Sequence, residues 1–177
     1  MKRIYLIGYM GAGKTLLGKN LARRMNLNYI DTDHFIENRY RKKISDIFAA
    51  NGEERFREME HRILLEISEY EDIVISTGGG LPCFNDNMTV MNETGITVFL
   101  DVSVETLATR LESSKNVRPV LEKRTGSELI TFIKESLTRR RMFYELSKIQ
   151  LLAERMETKY EVDMLAKNLE VLISKLF

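Results

Sequence analysis

The chain has 177 residues, of which 44% are hydrophobic and 30% are charged, and its formal net charge is +1. This size and composition predict one soluble globular domain and exclude an intrinsically disordered chain. A net charge near zero gives no overall field that would attract nucleic acid or a membrane surface, so neither is expected as a partner. The single cysteine, Cys83, excludes an internal disulfide, and we expect a protein of the cytoplasm.

Short apolar runs alternate along the chain with longer segments of helical periodicity. The apolar runs predict strands at 3–8, 28–30, 72–77, 96–101 and 148–153. The periodic segments predict helices at 13–25, 33–42, 53–69, 103–112, 126–146 and 161–176. Because the apolar runs are unbroken rather than alternating, we expect strands covered on both faces, in a parallel sheet of an α/β layer fold. No linker or repeat divides the chain, so residues 1–177 are expected to form one domain.

Residues 8–15, GYMGAGKT, follow the first predicted strand and match the pattern G-x-x-x-x-G-K-[ST]. Glycines adopt backbone angles closed to other residues, so successive N–H groups can point into one cavity. The following helix adds its positive N-terminus, Lys14 adds a mobile charge, and the Thr15 hydroxyl suits Mg²⁺. A plain strand-to-helix turn is the alternative, but a chance match to the whole pattern is rare. The loop therefore predicts a site for nucleotide phosphates.

Three classes of protein share such a loop: motor ATPases, GTPase switches and small-molecule kinases. The sequence has no Asn-Lys-x-Asp segment that would read guanine, and none of its predicted strands ends in Asp-Glu, as motor ATPases usually require. A short chain with additional charged motifs therefore favours a small-molecule kinase.

Three further stretches narrow the choice of substrate. Asp31 and Asp33 follow the second strand, where one carboxylate can face Mg²⁺ and the other an accepting hydroxyl; helix capping by Thr32 or Asp33 is the alternative. The glycines at 78–80 suggest a ligand that lies against bare backbone, although a sharp turn would need one or two of them. Arg118 precedes a proline, which would project it at a defined angle from an otherwise ordinary solvated loop.

Taken together, these stretches closely resemble the shikimate kinase family over nearly the whole chain. The matching segments are GYMGAGKT (8–15), DTD (31–33), DIFAANGEERFREME (46–60), GGG (78–80), RPVL (118–121) and RRRMFY (139–144). The first segment is common to all phosphate-loop proteins, but the ordered set of six is specific. The resemblance implies a three-layer α/β/α P-loop kinase fold with a five-stranded parallel sheet. It also implies a monomer with a substrate-binding helical part at about 32–62 and a lid at about 112–125.

The family's reaction transfers the γ-phosphoryl group of ATP to the 3-hydroxyl of shikimate, on the route to chorismate and the aromatic amino acids. By resemblance, the ATP phosphates would lie on Gly11, Ala12, Gly13, Lys14, Thr15 and Leu16. Thr15 would contact Mg²⁺, and Asp31 would reach the ion through water. Arg118 would come from the lid that closes over ATP, and Arg110 would lie against the adenine ring.

The resemblance places the acceptor on the other side of the site. Asp33 would contact the hydroxyl that accepts the phosphoryl group, and Asp33, Lys14 and Arg118 would be the catalytic residues. Shikimate would be held by Arg57, Gly78, Gly79, Gly80 and Arg140, with the two arginines on its carboxylate. The segment at 154–161 departs from the family's usual adenine-side loop, so no adenine contact is assigned there.

Helical spacing gives independent support for Arg140, because it interrupts an apolar stripe on one helix face: Leu129, Ile133, Leu137 and Tyr144. An arginine on a buried face needs an anionic partner. Arg139 and Arg141 fall off this stripe and are expected to be solvated. For Arg57, an ordinary helix-surface pair with Glu60 is the alternative to acceptor binding.

Two other functions remain open at this point. A gluconate-type kinase of the same fold would not need two arginines as a carboxylate clamp. A nucleotide-dependent binding module that had lost catalysis would lack an equivalent of Asp33, which is present here. His34, His61 and Cys83 have no companions that would predict a metal site or a nucleophile.

Overall fold

The computed structural model describes residues 2–114 and 124–176. The strands are β1 (Arg3–Ile7), β2 (Asn28–Asp31), β3 (Ile73–Ser76), β4 (Ile96–Asp101) and β5 (Ile149–Leu152). The helices are α1 (Lys14–Met25), α2 (Thr32–Tyr40), α3 (Ile44–Ile67), α4 (Asn87–Thr94), α5 (Val104–Ser113), α6 (Gly126–Tyr144) and α7 (Lys159–Ser174). Within these residues, no helix is both long enough and apolar enough to cross a membrane.

All five strands form one parallel sheet in the order β2-β3-β1-β4-β5. Every residue of the central strand β1 is buried, which agrees with its unbroken apolar sequence. Helices cover both faces, so the predicted three-layer α/β/α fold is confirmed. After β1 the chain crosses to β2 at one edge of the sheet, and after β3 it crosses over β1 to β4 on the opposite side. A ligand crevice is expected at the carboxyl ends of strands where the direction of crossing changes in this way.

Three local elements differ from the sequence prediction. Helix α3 begins at Ile44 rather than at residue 53, and Gly52 (φ 74°, ψ 175°) separates its two halves with a non-helical conformation. Helix α4 was not predicted, because its sequence NMTVMNET has only a weak apolar face. A 3-10 helix at Leu81–Cys83 includes Pro82, where a loop was expected.

The predicted lid at about 112–125 is described only at its two ends. Arg118 lies outside the described residues, so its predicted contact with ATP stays a prediction.

Candidate active site

The loop between β1 and α1 has the conformation that its glycines predict. Gly11 (φ 83°) and Gly13 (φ 94°) occupy the left-handed region, which side chains with a Cβ adopt only with strain. Gly13 is the N-cap of α1, no side chain of the described residues caps this helix, and its first turn has no acidic residue. The N-terminal N–H groups of α1 therefore have no capping side chain among the described residues, as suits a phosphate site.

The Lys14 side chain folds back over this loop. Its Nζ donates hydrogen bonds to the carbonyl oxygens of Gly8 and Tyr9, both at 2.8 Å. The ammonium group is thereby held at the mouth of the loop, where it can meet the phosphates of a nucleotide. Ala12 is buried beneath the loop, whereas the Leu16 side chain is exposed on the outer side of α1.

Thr15 and Asp31, the two residues predicted to serve Mg²⁺, are in direct contact. The Thr15 hydroxyl donates to Asp31 Oδ2 at 2.9 Å. Asp31 Oδ1 accepts from the backbone N–H groups of Asp33 and His34, so Asp31 is the N-cap of α2. Capping by Thr32 or Asp33, the alternative weighed from the sequence, is therefore wrong. Asp33 lies in the first turn of α2 and does not cap the helix.

Asp33 and Glu60 meet at the backbone of Gly78. A Cβ added to Gly78 would lie 2.5 Å from Asp33 Oδ1 and 3.3 Å from Glu60 Oε1. The Gly78 N–H donates to the buried Thr32 hydroxyl at 2.8 Å, which fixes the start of α2 against the end of β3. A side chain at residue 78 would therefore force the Asp33 carboxylate to move.

The other two glycines of the run face the two arginines. A Cβ at Gly80 would lie 2.7 Å from Arg57 Nη1, whereas one at Gly79 would lie 3.6 Å from Arg140 Nη1. None of the three glycines has a left-handed φ. At Gly78 and Gly80, protein side chains occupy the space that a Cβ would take. Of the three glycines, Gly79 is the one with ordinary contact space for a ligand.

The Arg57 guanidinium contacts two carboxylates and an aromatic ring of the protein. Its guanidinium donates to Glu60 Oε2 at 2.5 Å and to Glu53 Oε1 at 2.9 Å, and its Cζ lies 4.0 Å from the centre of the Phe84 ring. The alternative weighed from the sequence, a helix pair between Arg57 and Glu60, is present, but Glu60 is only 2% exposed, so the pair is part of a buried wall rather than of the surface. Burial raises the pKa of Glu60 to about 7, and the neighbouring Arg57 opposes that rise.

Arg140 differs from Arg57 in having no protein carboxylate at ion-pair distance among the described residues. Its Cζ lies 5.6 Å from the centre of the Tyr9 ring, and Tyr144 one turn later donates to Gly79 O at 2.6 Å. The predicted stripe is buried: Leu129, Ile133, Leu137 and Tyr144. A half-buried guanidinium at the end of that stripe is suited to an anionic ligand.

Its neighbour Arg141 is not simply solvated, as the sequence had suggested. Both of its terminal nitrogens bind Asp101, at 3.0 and 2.7 Å, and its Nε donates to Glu145 at 2.7 Å. Arg141 thus links the end of α6 to the end of β4, and only Arg140 of this arginine run faces Gly79.

Arg110 lies beside the segment that follows β5. Its Nη2 donates to the carbonyl oxygens of Ala153 and Glu154 at 3.1 and 3.0 Å and to Glu157 at 3.0 Å. Arg110 Nη1 is buried without a hydrogen-bond partner among the described residues. Met156 of the same segment packs so close to Gly13 that a Cβ there would lie 2.9 Å from its methyl group. This segment, to which the sequence assigned no role, therefore borders the phosphate loop.

Some residues of this site that were not predicted could have been found from the sequence, and others could not. Glu60 was detectable, because it lies at helical spacing between Phe56 and Ile63 on a buried face. Phe84 and Tyr9 were not, because aromatic side chains in loops are common and only the tertiary structure places them beside guanidinium groups. Cys83 lies in the same wall, and burial raises the pKa of its thiol to about 11, which disfavours a nucleophilic role.

No group of three or more His, Cys, Asp or Glu side chains in the described ranges could hold a metal ion by itself. The Thr15–Asp31 pair nevertheless suits Mg²⁺, which prefers oxygen ligands and commonly takes only one or two from protein when phosphates supply the others.

Residues 10–170 match the family model described as shikimate kinase. The chain is 56% identical over 162 residues to a protein named shikimate kinase from Parabacteroides distasonis, covering 92% of this chain and 94% of that protein. The crystal structure of shikimate kinase from Bacteroides thetaiotaomicron is 44% identical, with 98% of each chain covered and a TM-score of 0.96. Shikimate kinase from Acinetobacter baumannii, solved in complex with shikimate, is 31% identical with a TM-score of 0.85, covering 99% of this chain and 94% of that one.

Proposed function

This chain belongs to the shikimate kinase family, and we propose that it transfers the γ-phosphoryl group of ATP to the 3-hydroxyl of shikimate. The observation that carries the proposal is the position of Gly79. A Cβ there would lie 3.4 Å from Gly8 O, 3.5 Å from Met10 N and 3.6 Å from Arg140 Nη1. The backbone of one residue thus borders both the phosphate loop and a guanidinium that pairs with no carboxylate of the described residues, as suits transfer from a nucleotide to an anionic acceptor.

The phosphate loop binds the donor in this proposal. The N–H groups of residues 11–16, at the uncapped end of α1, contact the β- and γ-phosphates, and Lys14 Nζ moves from the two loop carbonyls to the phosphate oxygens. Thr15 and Asp31 would hold a Mg²⁺ ion, since both offer the oxygen ligands that it prefers. The ion neutralises charge on the phosphates when it is bound.

The acceptor binds between Asp33 and the two arginines. Its hydroxyl oxygen attacks the γ-phosphorus, the bond from that phosphorus to the β–γ bridging oxygen breaks, and ADP departs with the bonding electrons. The Asp33 carboxylate accepts the hydroxyl proton as the new oxygen–phosphorus bond forms. Arg140 and Arg57 hold the acceptor carboxylate, and Arg140 offers the planar pair of donors that a carboxylate matches.

Four finer assignments stay predictions: Arg110 against the adenine ring, Arg118 from the lid, a monomeric state and a cytoplasmic location. The contacts of Arg110 with Glu154 and Glu157 support the first, because they fix the guanidinium beside the phosphate loop.

An assay of ADP release tests the proposed function directly. Purified protein with ATP and Mg²⁺ is expected to release ADP rapidly with shikimate and only at background rate with gluconate or other hydroxylated acids. The product should carry phosphate on the 3-hydroxyl, which ³¹P–¹H correlation measures. Faster release with gluconate than with shikimate would contradict the assignment.

A further inference from the structure

Glu60 places a carboxyl group inside the wall of the acceptor site. It lies on α3, one turn after Arg57, and its side chain is 3% exposed. One carboxyl oxygen accepts from Arg57 Nη1 at 2.5 Å, and the other approaches the backbone of Gly78. Such a group remains ionised only while a cation compensates its loss of water.

The charged and titratable groups around Glu60 come from four elements. Arg57 lies on α3 itself, Asp33 faces it from α2, Arg140 from α6, and the Cys83 thiol from the 3-10 helix. Apart from the largely exposed Glu53, two guanidinium groups and two carboxylates share this wall, and the formal charges of these four groups balance before any acceptor arrives. Burial and the charge of Asp33 raise the pKa of Glu60 to about 7, against the opposing effects of Arg57 and Arg140.

If Arg57 binds the acceptor carboxylate, its positive charge stabilises the ionised form of Glu60 less. Its guanidinium already contacts Glu60, Glu53 and the Phe84 ring. An acceptor carboxylate would therefore compete with Glu60 and Glu53 for the same guanidinium. Glu53 is largely exposed and keeps its water when Arg57 turns toward the acceptor. Glu60 has no such water, so a third negative charge in the wall acts on Glu60 most strongly.

We infer that the acceptor's carboxylate binds together with a proton, which Glu60 takes from solvent as Arg57 is shared with the acceptor. This inference rests on the proposed function, because it requires an anionic acceptor at Arg57 and Arg140. Protonation returns the wall to a balanced charge and leaves Asp33 ionised as the base for the reaction. Glu60 is thus a positioning residue whose protonation state follows the occupancy of the site.

Calorimetric titration of the full chain with shikimate counts this proton. Binding enthalpies are measured at fixed pH in buffers of different ionisation enthalpy. We expect uptake of roughly half a proton at pH 7, approaching one at pH 8, because the fraction of Glu60 ionised in the free protein sets the number. The shikimate Kd should rise about tenfold from pH 6 to pH 8 for the same reason.

Glu60→Gln keeps the shape of the side chain and should abolish both the uptake and the pH dependence of Kd. The matched control is Glu53→Gln, which removes the other carboxylate on Arg57 and should leave both unchanged. Binding by the unaltered protein without proton uptake would overturn the inference alone, and so would full uptake by the Glu60→Gln variant. Absence of any shikimate binding would instead overturn the proposed function and this inference with it.

Discussion

The two ends of the active site are built in different ways. In the proposed function, the donor end is one continuous stretch, residues 8–15, whose backbone and helix N-terminus would bind phosphate. The acceptor end combines side chains from α2, α3 and α6 around the glycines after β3. Backbone groups keep their positions as long as the loop folds, whereas the acceptor side chains depend on one another through Glu60. Substitutions at the donor end are therefore expected to act independently of one another. At the acceptor end, a substitution of one side chain is expected to alter the effect of substituting its neighbours.

Loss of the lysine should have the largest effect, because it removes the one mobile positive charge of the donor end. Lys14→Ala is expected to reduce phosphoryl transfer below detection in the ADP-release assay, while circular dichroism shows an intact fold. Lys19→Ala, on the same helix, is the control and should retain activity. Near-normal turnover of Lys14→Ala would remove the assignment of the donor end.

At the acceptor end, Asp33→Asn is expected to lower kcat about a hundredfold or more, the usual contribution of a positioned base. Helix α2 should keep its stability, because Asp31 and not Asp33 caps it. Stopped assays give kcat, and thermal unfolding gives the Tm. A variant that loses stability but keeps its kcat would show that Asp33 has a structural role.

Arg140→Lys tests the guanidinium that, within residues 2–114 and 124–176, pairs with no carboxylate. Each charge-assisted hydrogen bond contributes about 1.5–3 kcal/mol, so the shikimate KM should rise about tenfold to several hundredfold. The ATP KM should hardly change. Arg139→Lys, which changes the preceding exposed arginine, is the control. An equal rise in both KM values would mean that Arg140 is not a carboxylate clamp.

The buried carboxyl of Glu60 predicts that the free energy of unfolding decreases as the pH rises. Its folded-state pKa is raised, so the folded protein binds more protons than the unfolded chain between about pH 4.5 and 7, and stability falls as pH rises through this window. Relative to Glu60→Gln, the protein should lose on the order of 2 kcal/mol of unfolding free energy between pH 5 and pH 8. Urea denaturation at both pH values measures this difference, and parallel curves for the two proteins would contradict it.

The smallest effect is expected at the border between the two ends. Gly79→Ala adds a methyl group with only ordinary contacts in the free protein, the nearest being 3.4 Å from Gly8 O. The Tm should therefore stay within about 2 °C, while the shikimate KM rises on the order of tenfold because the methyl group enters the acceptor space. If Gly79→Ala unfolds at a much lower temperature, the glycine is required by the fold rather than by a ligand.

The sequence predicted the strand, glycine loop and helix of the donor end, because a phosphate loop is a local pattern of glycine, lysine and hydroxyl residues. The ligand contacts of these residues stay predictions. All five strands were also predicted to within two residues, since buried parallel strands are unbroken apolar runs. The first half of α3 was missed because Gly52 interrupts its periodicity. At the acceptor end, the resemblance identified Arg57 and Arg140, but their different surroundings depend on packing. Helical spacing indicated the Arg57–Glu60 pair only as a surface contact. No pattern along the chain indicates that this pair is buried, or that Arg140 has no carboxylate partner among the described residues.

The border at Gly79 has a consequence for inhibitor design. A single molecule that joins a phosphate mimic to a carboxylate would cross Gly79 and engage both ends at once. Its affinity would exceed that of either fragment by about 10²–10⁴ if the connecting group matches the span, because the second contact forms at high effective concentration. Part of such recognition falls on backbone atoms of Gly8, Met10 and Gly79, which point mutations cannot delete. Added bulk at residue 79 would weaken such a molecule, but the same change would also obstruct the natural acceptor.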